Sequence, residues 1–441
     1  MKKNYIKIII VAILFSTVNS NLNAQNIEKL DGDVWEGCII KSKPFSGYAF
    51  VPRPNTVAYN MDNRVMPCSS FIVTYNGFTP EAQAAFQYAI DIWSNLLDSP
   101  VPIRVDATFA PAAASNLGSA GPAGFLINDP AFMTDTAYAI AMGESIIGED
   151  SDGPAGTSND ISCNFNSNRT DWYFGTDGNP GPDEIDFVSV VLHELGHGLG
   201  LLGFGRVDDN DNPTEGRLRG AFSDPSLFEY IHVWDRFIDG TDIFLNPTPI
   251  TGFPDPSGQL LNQYTNNEMT CNSPLANAQN SGVAPEMYSP SSWGGGSSYS
   301  HLDEATYPNA NENALMTPFL SDGVAIHNPG PIILGFMQDM GWNLCPGALS
   351  QNEFAIGDFT VSPNPFADKV SINISNISLR NDTFNLELID INGRAVISTQ
   401  ADGSNGVIEF NKLESLSPAI YFIKITSQAS GSSITKKVIK N

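Results

Sequence analysis

Between Val188 and Gly200 the chain reads V-S-V-V-L-H-E-L-G-H-G-L-G. His193 and His197 stand four apart, so on an α-helix they share a face and can grip one metal ion together. Glu194 follows the first histidine and points aside, where it can reach a water on that ion without binding the ion itself. Zinc is the usual occupant of such a site, held by two imidazoles and a third protein ligand, with a position left open for water. Zinc lowers the pKa of that water to about 7, and Glu194 would take its proton and pass it to a leaving amine.

Two histidines do not complete a zinc site. The common extended form, H-E-x-x-H-x-x-G-x-x-H, places a third histidine just past the glycine. Gly200 is in place here, but Gly203 stands where that histidine would be. Three other histidines exist, His232, His301 and His327, and Asp208, Asp209 and Asp211 are the nearest carboxylates. The aspartate cluster reads more simply as a solvated turn.

Further on, Ser300-His301-Leu302-Asp303 leads to Asn313-Ala314-Leu315-Met316-Thr317-Pro318. With the helix motif, this order resembles the metzincin zinc proteases, which set a turn containing methionine beneath the metal. It resembles their leishmanolysin-like branch most, where an insertion separates the glycine from the third histidine. The resemblance implies His193, His197 and His301 as zinc ligands, Glu194 as catalytic residue, Gly200 as the turn after the zinc helix and Met316 as the floor. A methionine alone is usually only core; the order of motifs carries the inference. The cysteine pattern does not match that branch.

The motif needs a buried helix to hold it. Asp186 can cap its start, Phe187, Val188, Val190, Val191 and Leu192 supply apolar residues, and Gly200 sits where a helix would stop. Two histidines and a glutamate in such a helix need a reason to be there. Upstream, Phe71 to Tyr75 alternates as a strand. Thr79-Pro80 then opens a helix carrying Ala82, Ala85, Phe86, Ala89 and Trp93, and Pro102 to Phe109 returns as a strand. Residues 111–124 read as an Ala/Gly/Ser/Pro loop. Ala137–Met142 and Asp160–Phe165 read as strands, and Leu227 to Phe237 as a helix or strand. Pro329 to Trp342 reads as a last helix, with proline at its start and glycine at its end. The expected catalytic domain spans 68–346, an α+β fold of twisted sheet plus active-site helix with an insertion over about 203–298. Residues 25–67 are a lead-in or short pro-segment.

The net charge is −26, which argues against nucleic acid and anionic membrane surfaces as partners. Lys and Arg balance Asp and Glu over 357–441, so the acidity lies in the rest of the chain. Lys2 and Lys3, the apolar run Ile8 to Phe15 and Leu22-Asn23-Ala24 read as a signal peptide over 1–24. No run suggests a transmembrane segment. Five scattered cysteines suggest disulfides with one thiol left over, and neither Cys38 nor Cys68 sits in a recognisable inhibitory-switch motif. Glu144, Glu149, Asp150 and Asp152 are candidate calcium ligands, although a solvated loop explains them as well.

After a linker at 347–357, seven short alternating runs over 358–441, with Asn392-Gly393 as a hairpin turn, predict a small all-β sandwich. Ser362-Pro-Asn-Pro-Phe366, Asp390-Ile-Asn-Gly-Arg394, Tyr421-Phe-Ile-Lys424 and Lys436-Lys-Val-Ile resemble the C-terminal sorting domain of type IX secretion cargo in Bacteroidetes. That implies the type IX machinery as a partner and a secreted or cell-surface location. The sequence thus reads as a secreted zinc endopeptidase acting on proteins or peptides. The rival readings are a cell-surface adhesin or binding module with a non-catalytic metal, and a zinc hydrolase of non-peptide substrates. A purely structural metal site has no need of Glu194.

Overall fold

The computed structural model describes residues 27–28, 38–43, 47–151, 158–208, 213–242, 244, 246–348, 359–375, 379–380, 382–391, 393–411, 413–427 and 433–441. It is a mixed α/β structure followed by an all-β region. Strands β1 (Cys38–Lys43), β2 (Phe71–Asn76), β3 (Ile103–Ala110), β4 (Asn116–Pro122), β5 (Ile161–Asn166) and β6 (Phe319–Ser321) form one sheet in the order β6-β1-β4-β5-β3-β2. β2, β3 and β5 run parallel, and β4 is antiparallel to β5. β1 is antiparallel to β4, and β6 is parallel to β1.

Helix α1 (Pro80–Ser94) links β2 to β3. Its start is set by the Thr79 hydroxyl, which accepts from the Ala82 N–H at 3.2 Å, and by Pro80, which has no N–H to satisfy. Its buried face carries Ala82, Ala85, Phe86, Ala89 and Trp93, the stripe expected from spacing. That face packs on helix α3 (Phe187–Gly198), all of whose residues are buried. The Trp93 indole N–H donates to the Leu192 carbonyl at 3.1 Å across this contact. The closing helix α4 (Pro331–Met340) ends at Gly341 with φ +123, a conformation that favours glycine.

Three local expectations need correction. Ala137–Met142 is not a continuous strand: Thr136–Ala139 is extended, and α2 (Ile140–Ile147) begins at once, ending on the left-handed Gly148. Nearly every residue there is buried, so no periodicity marks the change. The supposed loop at 111–124 contains β4. Gly118 is required there by packing: a Cβ on it would lie 3.1 Å from the Phe165 ring and 3.2 Å from Glu194 Cγ. Finally, Leu227 to Phe237 is neither one helix nor one strand. It divides into 3₁₀ turns at Pro225–Leu227 and Val233–Phe237 around a two-residue strand, Ile231–His232.

The lead-in is woven into the sheets. Besides β1, Ile27–Glu28 pairs with Phe125–Leu126, and Ala49–Val51 pairs with Val324–Ile326. The described residues of 203–298 fold as short strands, turns and two small helices, and Trp234 and Tyr264 from this stretch join the same core as α1 and α3. One disulfide, Cys68–Cys345, occurs among the described residues; Cys163 and Cys271 are buried thiols. The side chain of Cys38 and residues 1–24 lie outside the described residues. No helix among the described residues is long and apolar enough to cross a membrane.

The tail holds all seven expected strands: β7 (Phe359–Ser362), β8 (Val370–Ile374), β9 (Thr383–Asp390), β10 (Ala395–Asp402), β11 (Val407–Phe410), β12 (Ala419–Ser427) and β13 (Ser433–Lys440). They form two sheets, β7-β8-β11 and β10-β9-β12-β13. Alternate residues such as Ile372, Phe384, Leu386, Ile423 and Val438 fill a core of their own, distinct from that of the preceding domain. Gly393, with φ +80, turns the chain between β9 and β10.

Candidate metal centre

Helix α3 is pinned at both ends. At its start the Asp186 carboxylate accepts from the Ser189 N–H at 2.8 Å and the Ser189 hydroxyl at 2.6 Å. Past its end the Leu199 carbonyl accepts from the Trp342 indole N–H at 3.0 Å, and Gly200 turns with φ +106. His193 and His197 therefore project from a helix with little freedom to shift.

The structure brings His301 to the same point. The Nε2 atoms of His193 and His197 lie 3.0 Å apart, those of His197 and His301 3.2 Å, and those of His193 and His301 3.3 Å. All three rings are fully buried. Each Nδ1 is 2.6–2.7 Å from a backbone carbonyl: Leu315 for His193, Leu201 for His197 and Ser297 for His301. A carbonyl only accepts, so each Nδ1 carries the proton. Burial lowers His193 to about 4, and burial with the neighbouring imidazoles lowers His197 and His301 well below the ordinary histidine range. The rings are neutral, and each turns a bare Nε2 lone pair on the other two.

Three converging lone pairs repel unless a cation lies among them. Tetrahedral zinc, with Zn–N of about 2.0–2.1 Å, needs ligand nitrogens about 3.3 Å apart. The observed spacings fit that requirement, and backbone carbonyls on Nδ1 are the outer partners that hold metal-ligating histidines in one tautomer. Among the described residues this trio is the group of side chains able to hold a metal.

Met316 lies beneath the helix, where a Cβ on Gly196 would sit 3.0 Å from its sulfur. The turn Ala314–Met316 acts through its backbone as well. The Leu315 carbonyl orients His193, and the Met316 carbonyl accepts from the Leu302 N–H at 2.8 Å, next to His301. Sequence patterns signal neither these carbonyls nor those of Leu201 and Ser297, because every residue has one.

Glu194 is fully buried. Its Oε1 accepts from the Ile40 N–H at 3.2 Å, and its Oε2 has no hydrogen-bond partner among the described residues. Burial raises its carboxyl well above the ordinary range, against the pull of the Ile40 and Ala120 N–H groups. Its stem packs against Gly118 of β4.

The remaining histidines are elsewhere. His327 is buried against Phe50 and Tyr88, with Nε2 2.9 Å from the Asp186 carboxylate. It braces the start of α3. His232 is buried between Phe125 and Phe204, and burial lowers it to about 3. Asp208 accepts from the N–H groups of Thr214 and Glu215, the solvated-turn reading; Asp209 and Asp211 lie outside the described residues. Of the candidate calcium ligands, Glu144 accepts from Ser151 and Asp150 pairs with Arg104 at 2.8 Å, while Asp152 lies outside the described residues.

Residues 360–441 match the family model of the secretion system C-terminal sorting domain. Residues 148–212, which include all of α3, match a model described as SPBPB7E8-like. No curated protein matches the chain. Among solved structures, a DUF3244 family protein from Bacteroides vulgatus with an immunoglobulin-like β-sandwich fold is similar at 15% identity. The match covers 19% of this chain and 84% of that one, with a TM-score of 0.16.

Proposed function

We propose that the chain is an exported zinc-dependent endopeptidase of metzincin type, sent out through the type IX route by its sorting domain. The observation that carries the reading is the convergence of three bare, buried imidazole nitrogens, two of them from the helix that also carries Glu194, whose Oε2 has no hydrogen-bond partner among the described residues. His193, His197 and His301 would hold the zinc. When bound, zinc activates water and polarises a carbonyl.

The protein's own groups supply the rest. The Leu315, Leu201 and Ser297 carbonyls lock the three rings with Nε2 inward. Glu194 is the proton carrier, accepting from the attacking water and delivering to the departing amine. Met316 packs against Gly196, between His193 and His197 in the helix. The match over 360–441 supports export.

The test is hydrolysis of an unbiased peptide mixture by purified protein, with and without a chelator, alongside zinc content per chain. Chelator-sensitive cleavage supports the reading. A zinc-loaded protein whose centre is open to solvent and cleaves no peptide would refute it, leaving the adhesin or the non-peptide hydrolase.

A further inference from the structure

His301 is the ligand that α3 does not carry, and the chain leading into it is strained. Two residues earlier, Tyr299 has φ +76. A bulky side chain rarely adopts this left-handed conformation, which persists only where the surroundings over-determine it. The other five non-glycine residues with positive φ among those described are exposed, whereas Tyr299 is fully buried.

The surroundings grip Tyr299 through ring, hydroxyl and main chain. Its ring lies against the turn that follows α3, where a Cβ on Gly203 would sit 2.2 Å from it and a Cβ on Gly205 2.6 Å. The two glycines are thus the socket for this ring. The Tyr264 ring meets it edge-on, with centroids 5.0 Å apart. The Tyr299 hydroxyl donates to the Asp235 carboxylate at 2.7 Å. The Tyr299 N–H donates to the Tyr288 carbonyl, and the Tyr288 N–H to the His301 carbonyl, each at 2.9 Å.

Asp235 lies in the 3₁₀ turn Val233–Phe237 and also accepts from the Phe204 N–H at 3.1 Å and the His232 N–H at 2.8 Å. One carboxylate therefore joins the turn after α3, the interior of the insertion and the approach to His301. The bond from His301 Nδ1 to the Ser297 carbonyl does something different. It is local, so it fixes the ring within its own segment and does not seat that segment on α3. Beyond His301 the Leu302 N–H is anchored on the Met316 carbonyl. Before it, the anchoring side chain is Tyr299.

We propose that Tyr299, gripped by Asp235, is the positioning residue of the third metal ligand, so that metal retention depends on the folded insertion and not on α3 alone. The inference rests on the ligand assignment of the endopeptidase reading, and not on peptide cleavage.

The test uses the full chain, loaded with zinc or with cobalt(II) as a spectroscopic substitute, and times metal release to a chromogenic chelator. Tyr299→Phe removes only the hydroxyl. Tyr264→Phe is the control: this tyrosine is equally buried, and its hydroxyl donates to the Arg217 carbonyl at 3.0 Å rather than to Asp235. Tyr299→Phe should release zinc faster by about tenfold or more and shift the cobalt d–d bands, while Tyr264→Phe matches the parent in both. Tyr299→Gly, which suits the backbone but empties the socket, should release zinc faster still. The inference is overturned if either Tyr299 variant releases metal at the parent rate, or if the cobalt bands of Tyr299→Phe are those of the parent. It is equally overturned if Tyr264→Phe speeds release as much, which would mean general loosening of the core. A parent chain that binds neither metal overturns the inference and the endopeptidase reading together. Release governed by Tyr299 in a protein that cleaves no peptide leaves the inference standing and removes the reading. Peptide cleavage with release indifferent to Tyr299 does the reverse.

Discussion

The Gly203 N–H donates to the Ser300 hydroxyl at 3.1 Å, joining the two ends of the inserted segment. Position 203 is where a contiguous motif would carry its third histidine, and it has no room for one. A Cβ there would lie 2.2 Å from the Tyr299 ring and 2.6 Å from both Asp235 and the Trp234 ring. The segment leaves at Gly203 and returns beside it, so His301 enters the centre from next door. His301→Ala should lower bound zinc and abolish hydrolysis together, whereas His232→Ala should keep the metal. His327→Ala should also keep it but lower stability by about 1–3 kcal/mol, since Asp186 loses a buried partner. Zinc per chain and thermal melting of the three variants decide the matter, and full occupancy in His301→Ala would sink the ligand assignment.

Glu194→Gln should retain zinc and lose hydrolysis by about 10²–10⁴-fold, because the amide keeps the shape and cannot carry a proton. Turnover near that of the parent would remove Glu194 from the mechanism.

Asp235 ties the return of the insertion, accepting from the Tyr299 hydroxyl at 2.7 Å and from the N–H groups of Phe204 and His232. Burial raises its carboxyl from 3.8 to about 7, against these hydrogen bonds. The folded state therefore binds this proton more tightly than the unfolded state does. The contribution is full below about pH 4 and is lost as pH rises toward 7. The stability difference between the parent and Asp235→Asn should shrink from pH 4.5 to pH 7.5 in urea unfolding of metal-free protein. A difference independent of pH would mean that the carboxyl stays ionised throughout.

Removing residues 357–441 should leave the remainder folded, with an unchanged melting temperature and zinc content. The tail has its own core, built from Phe359, Phe384, Leu386, Ile423 and their neighbours. Aggregation or a lowered melting point in the truncated protein would show that the two cores depend on each other.

Local order was legible in the sequence. Thr79 and Asp186 are caps that act within three residues, the stripe from Ala82 to Trp93 repeats at helical spacing, and the tail alternates residue by residue. Such signals are short-range, and the chain carries them wherever it goes. The helix motif belongs to the same class, since four-residue spacing alone puts His193 and His197 on one face.

Tertiary structure decided what depends on distant packing. β4 reads as a loop in sequence because it is built of small residues, and one of them, Gly118, leaves room for Glu194 and Phe165, which approach from elsewhere in the chain. The carbonyls of Leu315, Leu201 and Ser297 gained roles only from where the fold delivers them. The pairing of Cys68 with Cys345 spans 277 residues, and the meeting of His301 with His197 spans 104. The seat of β1 on Glu194 spans 154. Closing loops of that length costs entropy that no local pattern can offset, so these contacts exist only because the whole core brings their partners together.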